Sequence, residues 1–215
     1  MQAIEGILFD PVGSLAEFPA DAFGAIATRL TGRGTRSGLT GSEAYWGFID
    51  VLKAGPWPLP PGDRRRIEWH EAQAVDCSSV YEDAAPALSA LRSLGIWLAV
   101  VSSLSESALD RFLERFSLRE AFSDRWSRDR AGGVGHVPLA RAVAAGSLDA
   151  TRVLFLADTA VGLQAARQAG VNPILMMNDP DEAMKLTSFE PAGGIVSLHE
   201  LPDFVRLVAA NNHIG

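Results

Sequence analysis

Residues 4–15 read IEGILFDPVGSL: a mostly apolar run from Ile4 to Phe9, then Asp10, Pro11 and, three positions after the aspartate, Gly13. A short apolar run that stops on an acid and turns at a glycine is the pattern of a buried strand feeding a tight loop. Three more runs of strand length lie downstream. Ile96–Val101 reads IWLAVV and follows a segment whose Leu88, Leu91 and Leu94 share one helical face, with Gly95 as the stop. Val153–Ala157 ends at Asp158, and Pro173–Met177 follows the amphipathic stretch Gly162–Ala169. Strands alternating with helices predict a parallel sheet covered on both faces, which binds ligands at the carboxyl ends of its strands. Asp10, Ser102 and Asp158 each end one of these runs, so a parallel arrangement brings all three to one rim.

Composition narrows the function classes. The 215 residues are 47% hydrophobic and 21% charged, which excludes a disordered, collagen-like or coiled-coil chain. The apolar stretches are strand-sized, so no membrane span is expected. The net charge of −7 repels a polyanionic backbone, and the one basic cluster, Arg64–Arg66, reads as the solvated start of a helix; nucleic acid is not an expected partner. Met1 leads into an apolar strand without a basic leader or a small-residue cleavage site, and the single cysteine, Cys77, fits a reducing compartment, so a cytoplasmic protein is expected. Cys77 itself reads as a small semi-buried side chain with no catalytic role. Only Lys53 and Lys185 among the nineteen basic residues are lysines, which limits any lysine mechanism.

About 80 residues separate the first two strands, far more than a crossover requires. Helical patterns at Asp21–Leu30, Ser42–Lys53 and Asp63–Ala74, broken by Gly- and Pro-rich stretches at Thr31–Gly41 and Gly55–Gly62, predict a small helical cap. Its aromatics Phe23, Tyr45, Trp46, Phe48 and Trp69 have helical spacing and read as the cap's own core. Leu198–Val208 reads as a closing helix and Asn211–Gly215 as a fraying end.

The stretch from Phe9 to Leu15 resembles the first motif of the haloacid dehalogenase superfamily, in which a strand ends in a nucleophilic aspartate within DxDG[TS]. Val100–Ser103 is similar to the second motif, Leu154–Asp158 to the fourth, and Gln164–Gly170 to the helix that follows it. The resemblance implies an α/β fold: a doubly wound, Rossmann-like parallel-sheet core over residues 1–15 and 81–215, with the helical cap inserted at 16–80. It also implies that Asp10 attacks a phosphorus or carbon centre to give an aspartyl ester that water then hydrolyses. Asp10, the carbonyl of Val12 and Asp158 match the expected ligands of Mg²⁺. Ser102 matches the hydroxyl donor to a phosphoryl oxygen, and Ser14, Ser103 and His136 are expected on the substrate side. Ser105 reads as the cap of the helix carrying Leu109, Phe112, Leu113 and Phe116.

The departures are specific. The acid that protonates the leaving group in family phosphatases is Val12 here. The third-motif lysine aligns with Gly135, or with His136 if the loop slips by one; Arg128 or Arg130 could fold back, though each reads as a loop residue at a solvent edge. The second acid of the fourth motif is Gly162. A phosphonatase would need a cap lysine, for which Lys53 is the candidate, although it reads as the end of a helix. His70-Glu71 lacks the second zinc ligand and reads as a surface pair, and Gly132–Gly135 reads as a loop. Two functions stay open: a weak or atypical hydrolase of a small phosphorylated or related anionic metabolite, phosphatase-type rather than dehalogenase or phosphonatase, or a catalytically inactive relative that binds a ligand or a protein partner. The oligomeric state is not legible.

Overall fold

A computed structural model describes residues 3–32, 38–178 and 184–211. The chain forms β1 (Gly6–Phe9), a tight turn over Pro11–Leu15, and β2 (Ala16–Glu17). Three helices follow, α1 (Ala20–Thr31), α2 (Gly41–Ala54) and α3 (Pro61–Asp76), and the chain returns through β3 (Ser79–Val80). It continues as α4 (Ala84–Ser93), β4 (Trp97–Val101), α5 (Glu106–Arg115), β5 (Asp124–Trp126), α6 (Arg128–Ala131) and α7 (His136–Ala145). The remainder is β6 (Val153–Ala157), α8 (Ala160–Gln168), β7 (Asn172–Met176), β8 (Gly193–Ile195) and α9 (Leu201–Asn211). Residues 212–215, at the expected fraying end, lie outside the described residues.

Six strands make one parallel sheet in the order β5-β4-β1-β6-β7-β8. Leu8 of β1 lies opposite Ala99 on one side and Phe155 on the other. All four residues of β1 are buried, as expected of a central strand with helices over both faces. The chain winds outward from β1 through β4 to β5, then restarts across β1 with β6. The winding therefore reverses beside Asp10, which is where an open α/β sheet leaves a crevice. β5 and β8 were not legible: one reads Asp-Arg-Trp, the other Gly-Gly-Ile, and both are three-residue edge strands without an apolar run. Among the described residues no helix is long and apolar enough to cross a membrane.

β2 and β3 pair antiparallel, Ala16 with Val80 and Glu17 with Ser79, so the helical segment leaves and re-enters at one place. Phe23 of α1 meets Tyr45 of α2 edge-on at 5.2 Å and stacks on Phe48 at 6.2 Å, which makes the inter-helix core. Trp69, expected in that core, is 60% exposed, because α3 turns Ile67 and Glu71 inward instead. Phe18, between β2 and α1, stacks on Phe112 of α5 and ties the segment to the sheet layer.

Two charged residues overturn their sequence reading. Glu71 is not a surface residue, and Arg128 is not at a solvent edge; both are fully buried. α3 packs on α5, which drives Glu71 inward, and there it pairs with Arg128 at the start of α6 and accepts the Ser105 N–H at 3.1 Å. Cys77, expected to be half-buried, is exposed just beyond α3.

The entry to α2 is tightly specified. Thr40 and Glu43 form a reciprocal capping box, each side chain accepting the other's backbone N–H. At Gly41 an added Cβ would collide with the carbonyl of Phe18, so the first turn of α2 lies directly on the chain leaving the sheet. Gly47, on the same helix, has nothing within 4 Å of a Cβ and is exposed. Gly41→Ala is therefore expected to destabilise the fold by about 1–3 kcal/mol through displacement of α2. Gly47→Ala should stabilise it by about 0.4–1 kcal/mol through helix propensity. Chemical denaturation of the two variants checks the opposite signs.

Candidate active site

Asp10 ends β1, and its carboxylate is closed in from three sides. Val12 N–H donates to Oδ1 at 3.2 Å from the following turn, and the Ser102 hydroxyl, just after β4, donates to the same oxygen at 3.0 Å. The third donor was not foreseen. The Tyr45 hydroxyl of α2 donates to Oδ2 at 3.0 Å, lies 3.1 Å from Ser102 Oγ, and accepts the Ser103 N–H at 2.8 Å. Its ring does belong to the helical core, as its spacing suggested, but its hydroxyl belongs to this site.

The other expected residues fall into two groups. Asp158, at the end of β6, lies across the backbone of Gly13, where a Cβ would strike both its carboxylate oxygens and Ser42 Oγ. Gly13 also has φ +83°, so this position requires glycine twice over. The Ser42 hydroxyl and Asn178, the latter at 3.4 Å, hydrogen-bond the Asp158 carboxylate. Ser14, by contrast, turns its hydroxyl back onto the carbonyl of Asp10. The Ser103 hydroxyl accepts the Gly135 N–H at 2.8 Å, and Ser105 caps α5. His136 opens α7, and among the described residues its ring makes no hydrogen bond to Asp10, Ser102 or Ser103.

Ser42, Tyr45, Trp46 and Lys53 lie on one face of α2, at the spacing that superimposes side chains on a helix. That face runs along the whole rim. Ser42 meets Asp158 and Tyr45 meets Asp10; a Cβ on Gly162 would lie 3.3 Å from Trp46 Nε1, and one on Gly135 would lie 3.2 Å from Lys53 Nζ. Lys53 itself pairs with Asp50 at 3.0 Å. A cleft of about 290 Å³ remains open beside Asp158, lined by Glu43, Trp46, Asp50, Thr159, Met176 and Asn178 among others. A cavity of about 510 Å³ between α1 and α3 lies away from the two carboxylates.

Burial pushes the Asp10 carboxyl up to about 7; the hydrogen bonds from Val12, Ser102 and Tyr45 pull it back, and the nearby Asp158 raises it further. Asp158 is pushed up to about 6, again chiefly by burial, against the hydrogen bonds from Ser42 and Asn178. The Tyr45 phenol is held well above its ordinary value by burial and by Asp10, so it stays protonated. Tyr45 and Ser102 have one hydroxyl proton each and both donate to Asp10, so their own 3.1 Å approach is a contact between two donors aimed at one carboxylate.

Among the described residues no basic side chain hydrogen-bonds either carboxylate. Arg130 lies over the Trp126 ring at 4.2 Å and pairs with Asp124. Arg128 donates to the Ser103 carbonyl at 3.0 Å, and Leu104 N–H, the other end of that peptide unit, donates to Ser102 Oγ at 3.3 Å. The guanidinium thus reaches Asp10 only through a peptide and a hydroxyl.

The sequence pattern of the haloacid dehalogenase-like hydrolases matches residues 38–176, more than half of the chain. The chain belongs to this family. Enolase-phosphatase E1 of Acidiphilium cryptum is 30% identical over 166 residues, which cover 74% of this chain and 65% of that enzyme, so the chain spans just under two thirds of that relative. Among solved structures, a predicted phosphoglycolate phosphatase from Haemophilus somnus 129pt superposes with a TM-score of 0.67 at 18% identity, over 95% of this chain and 99% of that one. L-2-haloacid dehalogenase from Xanthobacter autotrophicus does so with a TM-score of 0.62 at 18% identity, over 94% and 98%. At these identities the two structures establish the haloacid dehalogenase-like fold. The matched pattern begins after β1, so the placement of Asp10 rests on the sheet register.

Measured against the family motifs, this haloacid dehalogenase-like chain closes three positions where a charged side chain was expected. Val12 is 3% exposed and packs in the core, Trp46 covers Gly162, and Lys53 covers Gly135. Among the described residues no three His, Cys, Asp or Glu side chains converge to hold a metal ion.

A carboxyl whose folded value lies near 7, against 3.8 when unfolded, binds its proton more tightly in the fold. Its contribution to stability is therefore complete below pH about 4 and is lost as pH rises through about 7. In metal-free buffer, Asp10→Asn should gain on the wild-type chain as pH rises from 5 to 8, by roughly 1–4 kcal/mol at the upper end. Denaturation curves of both proteins across that range check the slope.

Proposed function

We propose that this chain is a phosphatase-type hydrolase of small phosphorylated metabolites, working in the cytoplasm, with the helical segment 16–80 as a cap over a core of residues 1–15 and 81–215. The observation that carries the reading is the convergence of Asp10 Oδ2, Ser102 Oγ and the Ser103 N–H on a single oxygen atom, at 3.0, 3.1 and 2.8 Å. Donors placed beside a carboxylate in a dry site are what a transferring phosphoryl group requires. The net charge of −7 favours a small anion held by local donors over a polyanion.

In this reading an Asp10 oxygen attacks phosphorus, the bond from phosphorus to the leaving oxygen breaks, and an aspartyl phosphate forms. Water then cleaves that intermediate, releasing inorganic phosphate and restoring the carboxylate. Val12 has no proton to give, so the leaving oxygen takes its proton from water, which favours weakly basic leaving groups. Ser102 and the Ser103 N–H hold the phosphoryl oxygens. Arg128 takes the part of the absent lysine at one remove, by polarising the peptide whose N–H supports Ser102.

Asp10 and Asp158, with the Val12 carbonyl, would hold Mg²⁺, an ion commonly bound by one or two carboxylates, with waters and substrate oxygens completing the shell. Two desolvated carboxylates raised to about 7 and 6, with no basic side chain among the described residues bonded to either, fit a divalent cation. When bound, the ion offsets the repulsion between the carboxylate and the phosphoryl oxygens. The second reading, a ligand-binding protein without turnover, is favoured by one observation: every donor around Asp10 is already engaged inside the chain.

A screen with Mg²⁺ against aryl, acyl and alkyl phosphates, a phosphonate and haloacids separates the two. The expected result is turnover of aryl and acyl phosphates ahead of alkyl ones, lowered by about a thousandfold or more in Asp10→Asn. A flat screen accompanied by ligand-dependent thermal stabilisation supports binding alone. Mg²⁺ itself should raise the melting temperature at pH 8, and Asp158→Asn should weaken that effect by about tenfold or more in Mg²⁺ concentration.

A further inference from the structure

We propose that Tyr45 is a specificity-determining residue of this site: its hydroxyl occupies the oxygen position that a ligand anion must take, so it admits only ligands that outcompete it. The inference rests on the reading of Asp10 and its neighbours as an anion site.

Tyr45 presents one oxygen to the whole donor set. That oxygen accepts the Ser103 N–H at 2.8 Å and lies 3.1 Å from Ser102 Oγ and 3.0 Å from Asp10 Oδ2. No second oxygen can share those partners, so any ligand atom placed between Asp10 and Ser103 displaces the phenol. The ring cannot swing away alone. It is fully buried, edge-on to Phe23 at 5.2 Å and to Trp46 at 5.5 Å. Withdrawal of the hydroxyl therefore means withdrawal of the α2 face, with Ser42 leaving Asp158 and Trp46 leaving Gly162.

That coupling sets a threshold. A neutral hydroxyl or carbonyl offers Ser103 N–H no more than Tyr45 already does, and gains nothing to offset the lost contacts of α2. A phosphoryl oxygen cannot replace the hydroxyl's donation to Asp10, and Mg²⁺ would have to offset its repulsion from that carboxylate, but its charge gives the Ser103 N–H and Ser102 hydrogen bonds roughly twice as strong as neutral ones. The site thus selects strong anions by holding a weak acceptor in their place, a difference of affinities rather than a shape fit.

The test is titration calorimetry of inorganic phosphate with Mg²⁺ into the wild-type chain and into Tyr45→Phe, which keeps the ring and removes only the competing oxygen. Tyr45→Phe should bind phosphate about tenfold more tightly, as expected for the loss of a competitor holding several neutral hydrogen bonds. Equal or weaker binding by Tyr45→Phe, with measurable binding by the wild-type chain, overturns the proposal and leaves the anion site standing. Binding by neither protein overturns both. A second measurement needs no variant: phosphate should increase acrylamide quenching of tryptophan fluorescence in the wild-type chain by uncovering Trp46. Unchanged or decreased quenching overturns the proposal.

Discussion

The carboxylate of Asp10 sets the terms for the rest of the molecule. A negative charge at the end of a central strand, cut off from water, is costly unless donors are brought to it. Those donors come from three parts of the chain that are far apart in sequence: the turn after β1, the turn after β4, and α2. The first two follow from the parallel register, which sets Phe9 beside Val100 and so brings the residues after β1 and β4 to one edge. The third requires a helix outside the sheet to dock with one hydroxyl in place.

That docking is accurate because α2 is fixed at its start. The capping box and the contact of Gly41 with the Phe18 carbonyl leave the first turn little freedom, and helical spacing then carries Ser42, Tyr45, Trp46 and Lys53 along the rim in order. The same helix face passes over two glycines of the rim. A side chain at Gly162 would crowd Ala157 and Thr159 as well as the Trp46 indole, whereas at Gly135 it would meet the flexible end of Lys53, which can move aside.

Much of this was legible before any coordinates. Apolar runs ending in Asp10, Ser102 and Asp158 carry their own signal, because a buried strand shows its end wherever a polar residue interrupts it. The three helices between β2 and β3 were equally plain from their breaks and periodicity. Tyr45 was not, since a tyrosine spaced with Phe23 and Phe48 looks like core packing, and its ring is core packing; only the last atom departs from that role. Glu71 and Arg128 failed for another reason. Fifty-seven positions separate them, and a charged residue reads as exposed until its partner is known. β5 and β8 hold one apolar residue each, Trp126 and Ile195, too few to make a run, so their strand character comes from the neighbours they pair with.

The buried pair of Glu71 and Arg128 ties the inserted helices to the sheet in a way that hydrophobic contact alone would not. Removing one member of such a pair strands its partner's charge in a dry interior. An excised sheet layer would keep the guanidinium and lose its counter-ion, so the two halves of the chain are not interchangeable parts. Exchange of the insertion between relatives, by recombination or by design, has to carry a carboxylate at the place of Glu71 or give up the arginine with it.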